Sequence, residues 1–277
     1  MDDRPFQRLL LATEHTEFDV GAERVAFELA RHCRLPLAAV LPILTNPEYE
    51  ATAPEHALAC EQAASAKGEA LYAAARAADV DLELSVRRGD EPYLEIVDEA
   101  RARHADLIVA RRRGKQGFLA QLLVGEMIGN VVRFAPCSVV LVPRGCRMWE
   151  TRILAAIDDT AAAATVVATA QRVAAGCGLP LLVASVAAHD TPAAVGGAEA
   201  AVAAALRTIR ESGRDADGRV VYGPAAESIA ALAHDSGADL VVAGRGGSHS
   251  AWKRHGFGAT AKKIAGFAAC PVLIVAA

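Results

Sequence analysis

The chain states one pattern twice. Gly89 to Val109, with Pro92, Ile96, Ala100 and the run Ala105-Asp106-Leu107-Ile108-Val109, returns as Gly223 to Val242, with Pro224, Ile229, Ala233 and Ala238-Asp239-Leu240-Val241-Val242. Asp106 and Asp239 stand 133 residues apart, and the same offset relates Ala135-Pro136-Cys137-Ser138-Val139-Val140-Leu141-Val142 to Ala268-Ala269-Cys270-Pro271-Val272-Leu273-Ile274-Val275. A period of that length is far beyond the roughly 20 to 50 residues of a solenoid repeat, so two whole domains are expected in one polypeptide. The starts match as well: Leu9 to Glu14 corresponds to Ile153 to Asp158 with an offset of 144, which places about eleven extra residues in the first copy. The polar, proline-bearing stretch Thr45 to Glu55 is the natural site of that longer loop.

Each copy alternates short β-branched or leucine-rich runs with longer segments of helical period. That alternation predicts βαβ units and a parallel sheet covered on both faces. Strands are expected near 8–13, 37–43, 82–87, 106–110 and 138–142, and again near 152–157, 181–187, 218–222, 239–243 and 271–275. Helices are expected between them, among them Val20 to Cys33, Pro54 to Ala78 and Ala193 to Ser212. The boundaries that follow are 1–145 for the first domain and 151–277 for the second, each a five-stranded α/β sandwich.

Length and composition exclude several functions. The chain has 277 residues, 53% of them hydrophobic, enough for two domain-sized cores. Aromatic residues are only 5% and the net charge is −4, so neither stacking platforms nor a basic surface for nucleic acid is expected. No apolar run approaches the roughly 18 residues of a membrane helix, and the charged start Met1-Asp2-Asp3-Arg4 lacks a signal-peptide core, so a cytoplasmic protein without membrane contact is expected. The six cysteines, Cys33, Cys60, Cys137, Cys146, Cys177 and Cys270, show no metal spacing and read as small buried hydrophobes, with Cys146 the one to watch for oxidation.

The chemistry concentrates in the loops after the first and fourth strands. After Ala243 the second copy reads Gly244-Arg245-Gly246-Gly247, then ten residues, then Gly258-Ala259-Thr260 opening a helix. Glycines at a strand exit permit positive φ and let backbone amides approach an anion, and a helix N-terminus adds partial positive charge, a combination suited to phosphate. The first copy reads Arg111-Arg112-Arg113-Gly114, then ten residues, then Gly125-Glu126. His249 and His255, beside Lys253 and Arg254, read as a solvated polar loop, and Ser248 next to His249 forms no triad. No GxxxxGK[ST] motif is present, so P-loop hydrolysis is not indicated.

Together the acidic residue closing the first strand, the A-D-L-[IV]-V strand, the glycine loop and the final C-[SP]-V-[VL]-[LI]-V strand resemble those of tandem universal stress proteins, over Leu9 to Val142 and Ile153 to Val275. The resemblance implies an adenine nucleotide alpha hydrolase-like fold, with strands 138–142 and 271–275 meeting as an internal pseudo-dimer. It also implies a loop of the form G-x2-G-x9-G-[ST] around the phosphates, an aspartate by the nucleoside, and ATP or a related adenine nucleotide, with or without Mg2+, as ligand. Carried over, the second site comprises Asp158, Ala243, Gly244, Arg245, Gly247, Gly258, Ala259 and Thr260. Its spacer has ten residues and Ala259 holds the hydroxyl position, so Thr260 either substitutes an oxygen or caps the helix. The first site reads as degenerate: Arg111 replaces the first glycine, Gly114 and Gly125 remain, Glu126 takes the hydroxyl position and Glu14 replaces the aspartate. There the arginines 111–113 are expected to pair with Glu14 and Glu126 and fill the site. The resulting expectation is a stress-response protein that binds nucleotide in its second domain and presents a responsive surface to a protein partner. A scaffold without nucleotide and a slow ATPase stand as alternatives, and association of two chains is left open.

Overall fold

In a computed structural model, which describes residues 4–45, 54–112, 125–246 and 256–276, the chain builds one ten-stranded sheet. The first half comprises β1 (Leu9–Ala12), α1 (Val20–Cys33), β2 (Leu37–Leu44), α2 (Pro54–Ala77), β3 (Leu82–Gly89), α3 (Pro92–Ala102), β4 (Leu107–Arg111), α4 (Glu126–Phe134) and β5 (Ser138–Val142). The second comprises β6 (Ile153–Ala156), α5 (Ala162–Cys177), β7 (Leu181–Ala187), α6 (Pro192–Glu211), β8 (Asp217–Tyr222), α7 (Ala225–Asp235), β9 (Leu240–Gly244), α8 (Ala259–Phe267) and β10 (Val272–Val275). The expected strands and helices are present with ends shifted by one or two residues. Most of the longer first-copy loop, and the residues Gly114, Gly247, Ser248, His249, Lys253, Arg254 and His255, lie outside the described residues.

The strand order is β3-β2-β1-β4-β5-β10-β9-β6-β7-β8, parallel within each half. The halves join at β5 and β10, the two strands the resemblance implied would meet, and there they run antiparallel, Val140 opposite Leu273. Apolar side chains alternate to the two faces of this sheet and form two cores, each continuous across both halves. One core lies under α1, α2, α5 and α6, the other under α3, α4, α7 and α8.

The repeated motif owes its aspartate to backbone satisfaction. Asp106 accepts from the amides of Gln7 (2.7 Å) and Arg8 (3.0 Å), and Asp239 accepts from those of Glu150 (2.6 Å), Thr151 (2.8 Å) and Arg152 (3.0 Å). Each carboxylate thus ties the chain entering the first strand of its half to the start of the fourth. The segment joining the halves is equally fixed. Trp149 is 1% exposed and belongs to the core, and Pro143 and Arg144 cross α1 so closely that a Cβ on Gly21 would lie 2.3 Å from the Pro143 carbonyl oxygen.

One polar network distinguishes the first half. Glu99 accepts from Ser85 Oγ (2.6 Å), Arg103 Nε (2.6 Å) and Arg87 Nη1 (3.1 Å), whereas the matching position in the second half is Leu232. Burial pushes the Glu99 carboxyl up, but these hydrogen bonds outweigh it and hold the group below the usual carboxylate range. Its stabilisation is therefore complete above the unfolded-chain value of about 4.3 and is lost as pH falls through the lower folded value. Denaturant unfolding followed from pH 6 down to pH 3 should show a shallower loss of stability in Glu99→Gln than in the parent chain.

Candidate functional site

In an open parallel sheet, ligands bind beyond the carboxyl ends of the strands where the winding reverses. The strand order reverses between β1 and β4 in the first half and between β6 and β9 in the second. Glu14 and Arg111 stand at the first crevice, Asp158 and Gly244 at the second.

The first crevice is filled by its own side chains. Arg111, the last residue of β4, donates from Nη1 to Asp19 Oδ2 at 2.8 Å and to Thr16 Oγ1 at 2.9 Å, while Nη2 lies 2.9 Å from Glu14 Oε1. Asp19 precedes α1 and would ordinarily cap that helix; instead its carboxylate takes Arg111 and the Thr16 amide (2.9 Å) and hydroxyl (2.6 Å). Arg111 and Asp19 are 3% and 1% exposed. With Ala12, Pro42, Ile96, Met127 and Ile128 they leave a cavity of about 10 Å³, room for no more than a water. Beside this cluster Glu23 accepts from Thr13 Oγ1 at 2.7 Å, with His15 Nδ1 at 2.9 Å.

The expected pairing of Arg111 with Glu14 is therefore present, but two parts of the expectation are corrected. Glu126 is exposed in the first turn of α4, behind Gly125, and among the described residues makes no ion pair with Arg111, whose buried partner is Asp19. Arg112 turns away from the crevice and donates to the carbonyls of Ala265 and Ala268 in the second half. Arg113 and Gly114 lie outside the described residues.

The second crevice has the same frame without the filling groups. The Ile157 amide bonds the Ala184 carbonyl at 2.9 Å, as Thr13 bonds Val40 at 3.1 Å, and Asp158 follows, exposed, accepting from Thr160 N (3.1 Å) and Oγ1 (2.6 Å). Thr160 is the counterpart of Thr16, but Ala163 stands where the first half has Asp19 and Gly244 where it has Arg111. A Cβ on Gly244 would meet Val166 at 3.5 Å and Ala162 at 3.7 Å, ordinary contacts, so this position has room for a side chain and carries none.

The remaining residues of the predicted second site divide. Ala243 is buried in β9 beside Ala156. Arg245 anchors the loop by its backbone, its amide on Val275 (3.1 Å) and its carbonyl receiving the Gly258 amide (2.8 Å). Its guanidinium is directed elsewhere: it lies across the seam on carbonyls of the first half, so Arg245 offers its side chain to no ligand at this crevice. Gly258 occupies the N-cap of α8, where it offers no capping side chain, and Ala259 opens the helix; Thr260 is the second helical residue, exposed, which removes its reading as a cap. The first turn of α8 holds no acidic residue, whereas α4 has Glu126 there. Gly125, Gly244 and Gly258 all avoid positive φ, contrary to the conformational reason the sequence suggested. What their missing side chains supply is bare backbone.

None of the six cysteines is in a disulfide, and burial pushes the thiols of Cys137 and Cys270 up to about 12 and that of Cys33 to about 11, as befits packing residues. Burial raises Cys146 too, against the lowering effect of Arg112 and Arg24.

The family model described as Universal stress protein family matches residues 5–143 and 150–276. Among solved structures, a universal stress protein from Archaeoglobus fulgidus DSM 4304 superposes with a TM-score of 0.72 at 17% identity, covering 99% of this chain and 97% of that one. A putative universal stress protein from Pseudomonas aeruginosa UCBPP-PA14 gives 0.71 at 20% identity over 99% and 95%, and a functionally unknown protein from Pseudomonas aeruginosa PAO1 gives 0.70 at 20% over 99% and 93%. No curated protein matches the sequence.

Proposed function

The chain belongs to the universal stress protein family, and we propose that its second half binds an adenine nucleotide such as ATP while its first half does not. The observation that carries this reading is the difference between two otherwise equivalent crevices: Arg111 and Asp19 fill one, and Gly244 and Ala163 leave the other without those groups. The helix behind the second crevice opens at Ala259 with no acidic residue in its first turn, so its positive end favours phosphate. Glu126 opposes phosphate at the matching place in the first half. Asp158 would lie by the nucleoside, and Mg2+ would enter with the phosphates. Nucleotide at 100 times its Kd stabilises the fold by about 2.7 kcal/mol and alters the surface that the segment between Gly244 and Gly258 presents to a protein partner. We assign the protein a nucleotide-responsive binding role in the cytoplasm rather than a metabolic one.

Ala259→Glu tests this reading because it transfers Glu126 to the matching position. Glutamate at an exposed first-turn position stabilises a helix by about 0.3–1 kcal/mol, so the fold should not suffer. Calorimetric titration of Mg·ATP should show at least tenfold weaker binding than the parent chain, with an unchanged or higher melting temperature. Equal affinity in the two proteins would remove α8 from the site.

A further inference from the structure

The residue that follows the fourth strand is an arginine in both halves, Arg112 and Arg245, again 133 residues apart. Each crosses the β5/β10 seam. Arg112 Nη1 donates to the carbonyl of Ala265 at 2.7 Å and to that of Ala268, at the C-terminal end of α8. Arg245 Nη2 donates to the carbonyls of Ala135 and Cys137, each at 3.0 Å, and Nη1 lies 3.4 Å from that of Arg133, at the C-terminal end of α4. Ala135 and Ala268 are matching residues of the repeat, so the two contacts form one reciprocal arrangement.

The last carbonyls of a helix have no amide further along the helix to receive, and they form its negative end. Ala135, Ala265 and Ala268 are 4%, 0% and 1% exposed, so water has little access to satisfy them. A guanidinium matches both needs, supplying several donors and a positive charge. Neither arginine has a carboxylate within ion-pairing distance among the described residues, and burial lowers the pKa of both. The carbonyls are their compensation. The backbones of the same two residues also root the glycine loops, Arg112 N on Val142 (2.8 Å) and Arg245 N on Val275 (3.1 Å).

We propose that each arginine is a positioning residue for the other half's last helix: Arg112, a residue of the half that does not bind, holds α8 in the place where its N-terminus can receive phosphate. The phosphate in that statement rests on the nucleotide reading above; the grip itself does not. Helix α8 has nine residues, so its two ends lie about 13 Å apart on one short rigid rod. A hold on the C-terminal carbonyls therefore sets the position of the first-turn amides at Ala259 and Thr260.

Arg112→Met, Arg112→Lys and Arg245→Met in the full chain test the proposal by two readouts. Without nucleotide, Arg112→Met should speed amide exchange at least tenfold in the last turn of α8 and leave α4 unchanged, and Arg245→Met should do the converse. Exchange altered only within the mutated half, or in neither, overturns the grip. With Mg·ATP, Arg112→Met should bind about tenfold more weakly than the parent, and Arg112→Lys, which keeps a charge and donors, should recover most of that loss. Parent-like affinity in Arg112→Met, or equal losses in the Met and Lys variants, overturns the positioning role. A parent chain that binds no nucleotide overturns the reading of the second crevice instead, and the exchange pattern still decides the grip.

Discussion

Ala163→Asp combined with Gly244→Arg is expected to weaken nucleotide binding at least 100-fold, about 2.7 kcal/mol, while leaving the chain folded. The two changes copy Asp19 and Arg111 into a crevice that already has Thr160 for Thr16 and Asp158 for Glu14. A Cβ at 244 meets nothing closer than 3.5 Å, so the backbone accepts a side chain there, and the new aspartate at the half-buried position 163 supplies the opposite charge that such an arginine needs. A nucleotide would then have to displace a satisfied ion pair from the volume it occupies. Gly244→Arg alone leaves the guanidinium with only the exposed Asp158, so it remains available to a phosphate and the loss should be smaller. The single and double variants are accordingly non-additive, and a titration of all three against the parent measures their coupling. Parent-like affinity in the double variant would show that the nucleotide does not use this crevice.

Arg111→Met should destabilise the chain by about 3–5 kcal/mol, because it leaves Asp19, 1% exposed, as a buried charge with Thr16 as its remaining partner. The loss comes from the stranded carboxylate and not from the missing cation. Adding Asp19→Ala should therefore return most of the stability, as a buried pair replaced by apolar groups is commonly neutral. The second half already has this form, with Ala163 and Gly244 at the two positions. Chemical denaturation of the parent, single and double variants measures both steps. A single variant within 1 kcal/mol of the parent would contradict the burial argument.

The architecture was legible because two independent signals coincide, an offset of 133 residues and apolar runs that alternate with helical period. Strand order was not, since local pattern does not say which strands neighbour one another; that the last strands of the two halves meet came from the resemblance alone, and their antiparallel direction from the structure. The pairing of Arg111 with Glu14 was legible because both residues depart from the motif at matching places. Asp19 was hidden: an aspartate before a helix has an ordinary capping role, and only the fold shows its carboxylate turned to Arg111. Aligning the copies by their 144-residue offset, Asp19 against Ala163, is the signal that would have found it. Arg112 and Arg245 were misassigned for a different reason. Their partners lie 153 and 110 residues away, across a seam whose register no motif encodes.

The central claim is that one of two matched crevices takes nucleotide, and amide exchange of the unmodified chain with and without Mg·ATP tests it most directly. Exchange should slow at the start of α8, over residues 258–262, and stay unchanged at the start of α4, over residues 125–129. Slowing at both helices, at α4 alone, or at neither would contradict it.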